Sequence, residues 1–338
     1  MVNKKGEKNE TEDEKGKRED KKFARIATAI LGEKDFKKIP DGIKDLVSYY
    51  RNLLTTEEGV ARSVVPWVEK TDIYKEYLKH IQGIGPIFSA NLIAMLNPIT
   101  DFPKPSMVIS YAGLSGSHYA QECGNGHKFL TSSPKAYCPV NLTETNNPDI
   151  EVCGYDIIKS EFVNRPMKRT KAYHIFMNSR LKTTMFKIAS SFEKQSTEKS
   201  QYRKLYDVRK AIYSSREGIL EEKGGKGHVR MMTMRYIEKR FLINLHVVWM
   251  RGLGYDITPY ESTMPNHTIV PITTDDNYPL PVKGSFKSIS EEDNWSIRQL
   301  TDSYYDIQHM RIKCFNNVVA WVKSNPEKVT YFTSNGEE

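Results

Sequence analysis

Apolar residues recur every three or four positions over most of this chain, and that period constrains its fold more than any other feature. Between Phe23 and Lys79 the series runs Phe23, Ile26, Ala27 and Ile30, then Ile43, Leu46, Val47, Tyr50 and Leu54. Side chains at that spacing line one face of an α-helix and require another element to cover them. Pro40 and Pro66 are expected to divide the stretch into two or three helices, because proline lacks the amide that a helix interior uses. Thr71 and Asp72 are placed to cap a further helix through IYKEYLKHI. Residues 171–194, KAYHIFMNSRLKTTMFKIASSFEK, set Ile175, Leu181, Met185, Ile188 and Phe192 on one stripe. Residues 227–254 form a longer, more apolar run that ends at a glycine-rich C-cap, and its methionines and aromatics are expected in the core. Residues 296–324 share a face among Leu300, Tyr304, Ile307, Met310 and Cys314, which makes Cys314 a buried small apolar residue.

Three segments depart from this period. Residues 1–22 are almost wholly charged or polar with both signs mixed, so they bury too little to offset ordering entropy and are expected to be disordered. Residues 118–158 are rich in Gly, Asn, Thr, Pro and Cys, and residues 257–296 in Pro, Thr, Asp and Asn. The expected organisation is a charged tail over 1–22 and an N-terminal helical segment over 23–74. A helical domain follows over 75–260 with a Cys-containing insert at 118–158, then a C-terminal extension over 261–338 with one long helix. The fold class is mainly α, with a small irregular or β-containing, zinc-ribbon-like insert.

The stretch HIQGIGPIFSANLIAML, residues 80–96, sets two glycines one residue apart before a proline and an apolar helix. Helix, Gly83-Ile84-Gly85, helix is the pattern of a helix-hairpin-helix unit. Glycine allows a sharp turn with positive φ and removes a side chain that would hold a phosphate away. Pro86 at the first helical position has no amide to leave unbonded and pre-sets φ. The free amides of the turn then face an anion, with the helix dipole behind them. Ile84 is expected to turn inward and pin the two helices. A plain αα-hairpin with a glycine turn is the alternative.

Charge distribution decides which partner such a turn would meet. The chain of 338 residues carries a net +8. Residues 161–251 hold 21 Lys or Arg against 8 Asp or Glu, a net of +13 that leaves −5 for the rest. A basic segment on a weakly acidic background fits a polyanion, most often nucleic acid. The expected backbone contacts are Gly83, Ile84 and Gly85 of the hairpin, then Arg165, Lys168, Arg169, Lys171, Arg180 and Lys182, then Lys226, Arg230 and Arg235. Such contacts grip phosphates without reading bases. No apolar run reaches the roughly 18 residues of a membrane span, and no apolar segment follows the charged N-terminus. The chain is therefore expected to stay in the cytoplasm, on the nucleoid when bound to DNA.

The chain has 4 cysteines, too few for a disulfide scaffold of this size, and Cys123, Cys138 and Cys153 fall in the insert. Cys123 and His127 stand four apart around two glycines, a workable zinc-knuckle spacing, while Cys138-Pro and Cys153-Gly resemble the halves of a ribbon knuckle. These four residues would satisfy a closed, structural Zn²⁺ site. Unligated cysteines in a loop are the alternative.

The middle of the chain resembles the C-terminal transposase domain of the IS-one-ten family of insertion sequences. The resemblance rests on GIGP at 83–86, on Tyr-Ala-Gly-Leu at 111–114, and on the basic helices of 168–191, 202–211 and 225–253, in that order. It implies a mobile-element protein that handles DNA. Family members are site-specific recombinases directed by a structured RNA, and they join a RuvC-like nuclease domain bearing four acidic metal ligands to this domain with its serine nucleophile. About 75 residues precede the hairpin here and read as charged tail and helices, so the expectation is a chain without the nuclease domain. The family's serine lies past the Tyr-Ala-Gly-Leu motif in a Ser-Gly pair; here Cys123-Gly124 falls near that place, and Ser115 and Ser117 come too early.

These readings favour a non-catalytic, mobile-element-derived binder of duplex DNA with low sequence specificity. The alternatives are an active recombinase using a serine nucleophile, and a structured-RNA-binding or assembly module. A homo-oligomer is compatible with all three.

Overall fold

Helix α1 runs Glu12–Gly32 and α2 runs Lys44–Lys70. The computed structural model describes residues 12–140, 152–164, 172–216, 218, 224–257, 272–273 and 280–334. Residues 12–22, expected to be disordered, form the first turns of α1, while residues 1–11 lie outside the described residues. A run of Glu, Lys and Arg has good helix propensity, and it leads straight into the apolar stripe beginning at Phe23. Pro66 also departs from expectation: it sits inside α2 rather than ending it. Its side is exposed, so the carbonyl that loses its partner there can turn to water.

The chain divides into two compact units, Met1–Ser63 with Gln299–Glu338, and Val64–Arg298. The first unit joins the N-terminal helices to the last forty residues of the chain. The physical reason is that each presents an apolar stripe with nothing of its own to cover it. Helix α9 runs Glu291–Ser324, and its residues Val318 and Val322 join Ile26, Ile30, Ile43 and Val47 in one buried cluster. Leu53, Ile307 and Cys314 form a second. Cys314 is buried as expected, with its thiol 3.4 Å from the Leu46 carbonyl. Met310 is exposed, against expectation. Arg311 supports the same packing by donating to Glu57 at 2.6 Å and to the Tyr50 hydroxyl at 3.1 Å.

The second unit is built around a long helix, α8 (Gly225–Gly252), that is buried over most of its second half. In chain order it holds α3 (Asp72–Glu76), α4 (Pro86–Leu96) and α5 (Pro105–Tyr111). The strands β1 (His118–Cys123), β2 (Lys128–Thr131), β3 (Ile157–Val163) and β4 (His174–Ile175) follow. Then come α6 (Ser179–Glu193), α7 (Gln201–Ser214) and α8 (Gly225–Gly252). Met234, Phe241, Leu242, Leu245 and Trp249 of α8 are buried in the core as expected, whereas Met231, expected there too, is 44% exposed. Phe192 of α6 stacks on Tyr202 of α7 with centroids 4.5 Å apart, and Phe241 meets both edge-on.

The insert is a small sheet of order β3-β1-β2-β4. β1 pairs antiparallel with β2 and β3, and β2 pairs parallel with β4. The helix expected over 171–194 therefore begins only at Ser179, and Ile175 belongs to the sheet rather than to the helical stripe. Asn178 sets that boundary. Its side chain accepts from the Leu181 N–H at 2.8 Å, the bond of an N-cap residue.

Candidate metal centre and nucleic-acid interface

Cys123 ends β1, and a tight turn through Gly126, at φ 79°, brings the chain back to His127. The Cys123 N–H donates to the His127 carbonyl at 3.1 Å, and the Gly126 N–H to the Cys123 carbonyl at 2.9 Å. Cys138 and Cys153 are held against each other's strands by Cys153 N–H to Val140 O at 2.9 Å and Gly154 N–H to Cys138 O at 3.1 Å. Cys123 and Cys153, 30 residues apart in sequence, thus converge with His127 and Cys138. The Cys123 and Cys138 sulfurs each lie 3.7 Å from His127 Nδ1, and Cys123 Sγ lies 3.9 Å from Cys153 Sγ. All four ligand atoms fall within 4.8 Å of one another, and the three thiols are buried and free of disulfides.

That geometry suits a metal ion. Bonds of about 2.3 Å to sulfur in a tetrahedron put the sulfurs about 3.8 Å apart, which matches the observed spacing. Burial raises the Cys123 thiol, but the main-chain N–H groups of His127 and Asn125 and the Cys138 and Cys153 thiols offset it, leaving the group below its ordinary value. Cys138 is pushed up to about 12, first by burial and then by its thiol neighbours. The group of Cys123, His127, Cys138 and Cys153 can hold a metal ion.

The glycine hairpin separates into two different glycines. Gly83 has φ +96°, and a Cβ there would press on Ser191 of α6 and on Gln195 just beyond that helix. Its carbonyl accepts from the Ser191 hydroxyl at 2.9 Å. Gly83 is therefore required by the turn and by the neighbouring helix. Gly85 is the opposite case. It is the N-cap of α4 with extended backbone, φ −106° and ψ 177°, and a Cβ there would meet nothing within 4 Å. Neither conformation nor packing needs a glycine there. Ile84 is buried as expected, which takes its side chain away from any ligand. The helix leading into the turn is shorter than expected: α3 stops at Glu76, and a 3-10 turn, Leu78–His80, completes the approach.

The expected basic contacts fare unequally. Arg165, Lys168, Arg169 and Lys171 lie outside the described residues. Lys226 is exposed at the start of α8, and Arg180 is half-buried. Arg230 pairs with Glu193, Nε at 2.8 Å from Oε1 and Nη2 at 2.5 Å from Oε2, while the Tyr206 hydroxyl donates to the same carboxylate at 2.7 Å. That fork ties α8 to α6, so Arg230 has a structural use. Lys182 and Arg235 come together in a pocket of about 310 Å³ with Leu114, Thr183, Phe186, Met231 and Glu238. Burial raises the Glu238 carboxyl to about 7, against the pull of Arg235, Lys182 and Lys239. Burial and Arg235 lower Lys182. Sequence reasoning passed over Glu238; the available signal was a carboxylate on the apolar side of α8, between Ile237 and Phe241.

The Tyr-Ala-Gly-Leu motif packs where this pocket begins. Gly113 has φ +65°, and a Cβ there would collide with Met177. Ala112 and Leu114 are buried. Ser115 Oγ lies 3.1 Å from Ser110 Oγ. Cys123, near the place where the resemblance puts a nucleophile, is instead fully buried in the metal-binding group.

Fold and site define a mainly helical protein that carries a small sheet and a Cys₃His group. The model of the family described as Transposase IS116/IS110/IS902 matches residues 75–121, from α3 through the glycine turn, α4 and α5 into β1. The resemblance drawn from GIGP and Tyr-Ala-Gly-Leu thus holds over the stretch that contains both, and it points to a mobile-element origin. The match ends before Cys123. No curated protein and no solved structure matches the chain. Among the described residues, no helix is long and apolar enough to cross a membrane.

Proposed function

We infer that this chain is a mobile-element-derived protein that grips the backbone of duplex DNA without cutting it. Gly85 carries this reading. Ser, Thr, Asp or Asn would cap α4 better, and the fold has room for any of them. A bare backbone at an outward-facing helix start is what close approach by a phosphate requires. The basic excess of residues 161–251 supplies the electrostatic attraction, with Lys226 as its exposed representative on α8. The Cys₃His group serves as a closed structural Zn²⁺ site that holds the two turns of the insert together. With all four positions taken by protein, it leaves no position for a reacting water.

The absence of strand chemistry is supported by Cys123, whose thiol lies inside the ligand group rather than at a reacting position. Titration of the full chain into labelled duplex DNA at several salt concentrations, with product analysis on a denaturing gel, tests both halves. Salt-dependent binding with intact strands is expected. A covalent protein–DNA adduct lost on Ser115→Ala or Ser117→Ala would establish the recombinase reading instead. Tighter binding to folded RNA than to duplex DNA would establish the third.

A further inference from the structure

Among the described residues β3 ends its sheet, and it carries two charged residues, Lys159 and Glu161, amid apolar ones. Every side chain from Ile158 to Phe162 is exposed, so the strand is open on both faces. Ile158 is 69% and Phe162 55% exposed, although Phe162 rests against Tyr119 with ring centroids 5.3 Å apart. Among the described residues β3 pairs with β1 alone. Its other main-chain bond is at its start, where the Ile157 N–H donates to the Ala136 carbonyl at 3.2 Å. An extended edge with exposed apolar side chains is a template for another strand.

The order of residues says which strand. In Ile158-Lys159-Ser160-Glu161-Phe162, the residues are complementary to their own reversal. We propose that β3 pairs antiparallel with β3 of a second copy of this chain, about a two-fold axis at Ser160. Lys159 then lies opposite Glu161 of the second copy, and Ile158 opposite its Phe162. Both pairs occur twice by symmetry, as an isologous contact demands. Opposite charges and apolar pairs placed directly across an antiparallel ladder each stabilise it, and like charges there oppose it. Moving the axis to Lys159 or to Glu161 sets like charges against each other, so among the central positions the sequence favours Ser160. A ladder of five residues is smaller than the roughly 1,200 Å² of a standard interface. The association is accordingly weak and concentration-dependent.

Two experiments on the full-length protein test this. On the axis, opposing Cα atoms of an antiparallel pair stand about 4.5–5.5 Å apart, within the span that a disulfide bridges. The native cysteines are all buried, so Ser160→Cys adds a single accessible thiol. Mild oxidation with oxidised glutathione is expected to give a covalent dimer that reductant releases. Ile158→Cys, four positions out of register with its own copy, should remain monomeric. The second experiment uses charge. Lys159→Glu and Glu161→Lys should each weaken self-association about threefold to thirtyfold, measured by sedimentation velocity. Mixed together, the two variants regain complementary pairs and should associate as the unaltered chain does. Cross-linking of Ser160→Cys no greater than that of Ile158→Cys, or a mixture that associates no better than its components, overturns the proposal.

Discussion

Asn178 binds Tyr111 at both ends of the tyrosine. Its main-chain N–H donates to the Tyr111 carbonyl at 2.7 Å, and its side-chain amide donates to the Tyr111 hydroxyl at 2.9 Å. The same side chain caps α6 through the Leu181 N–H. One residue therefore fixes where the sheet stops, where α6 starts and how the Tyr-Ala-Gly-Leu turn is held. Loss of an N-cap costs about 1 kcal/mol, and loss of a further hydrogen bond about 1 kcal/mol more. Asn178→Ala should lower stability by about 2 kcal/mol and Tyr111→Phe by about 1, read from urea midpoints at unchanged slope. Equal losses in the two variants would show that the cap contributes nothing.

Elemental analysis of protein purified without added metal should find about one zinc per chain. Ligation by three thiols and an imidazole couples metal binding to the folding of the insert. Cys153→Ser should cut the bound zinc sharply and lower the melting temperature, as a strong chelator should for the unaltered chain. A metal-free protein whose melting is indifferent to chelator would leave four unligated side chains in a loop.

Glu238 gives a pH signature with a definite sign. Its folded pKa of about 7 lies above the ordinary 4.5, so the folded state holds this proton more tightly than the unfolded one. The resulting stabilisation is fully present below pH 4.5 and lost as the pH rises through 7. At this shift it amounts to about 3 kcal/mol. Glu238→Gln keeps the shape and removes the titration. The variant should match the unaltered protein at pH 4.5 and exceed its stability at pH 8, by urea unfolding at each pH. Parallel curves would show that Glu238 stays ionised in the fold.

The helical period made most of this architecture legible. It located α8, the core stripe of α6 from Leu181 to Phe192 and the burial of Cys314, because each depends on a local repeat. The metal group was legible as well, since Cys123-Gly-Asn-Gly-His127 is itself a turn and the other two cysteines are scarce residues nearby. What spacing could not reveal is long-range. Ile175 fits a helical stripe, but pairing with Leu130 of β2 takes it into the sheet. Arg230 looks like any basic helix residue until Glu193, distant in sequence, claims it. The pairing of α1 with the end of α9 in one unit likewise has no local signal.

The two hairpin glycines allow the DNA-binding proposal to be separated from simple folding. Gly83→Val puts a branched side chain at φ +96° against Ser191 and Gln195, so it should destabilise the protein by more than about 1 kcal/mol. Gly85→Val enters open space with an allowed backbone, so melting should change little. Its effect should instead fall on DNA affinity, because the side chain stands where a phosphate would approach the free amides of α4. Salt dependence then sorts the basic residues. If about six phosphates are neutralised, log K should fall with log salt at a slope of about −5. Lys226→Ala removes an exposed charge and should make that slope shallower by about 0.9, uniformly across sequences. Arg230→Ala removes the partner of Glu193, and should cost about 1 kcal/mol of stability with the slope unchanged. Gly85→Val carries no charge change, so it should weaken binding while altering the slope only by the contacts the hairpin itself makes. Full affinity in Gly85→Val, with Gly83→Val lost to unfolding alone, would mean that both glycines serve nothing but the turn.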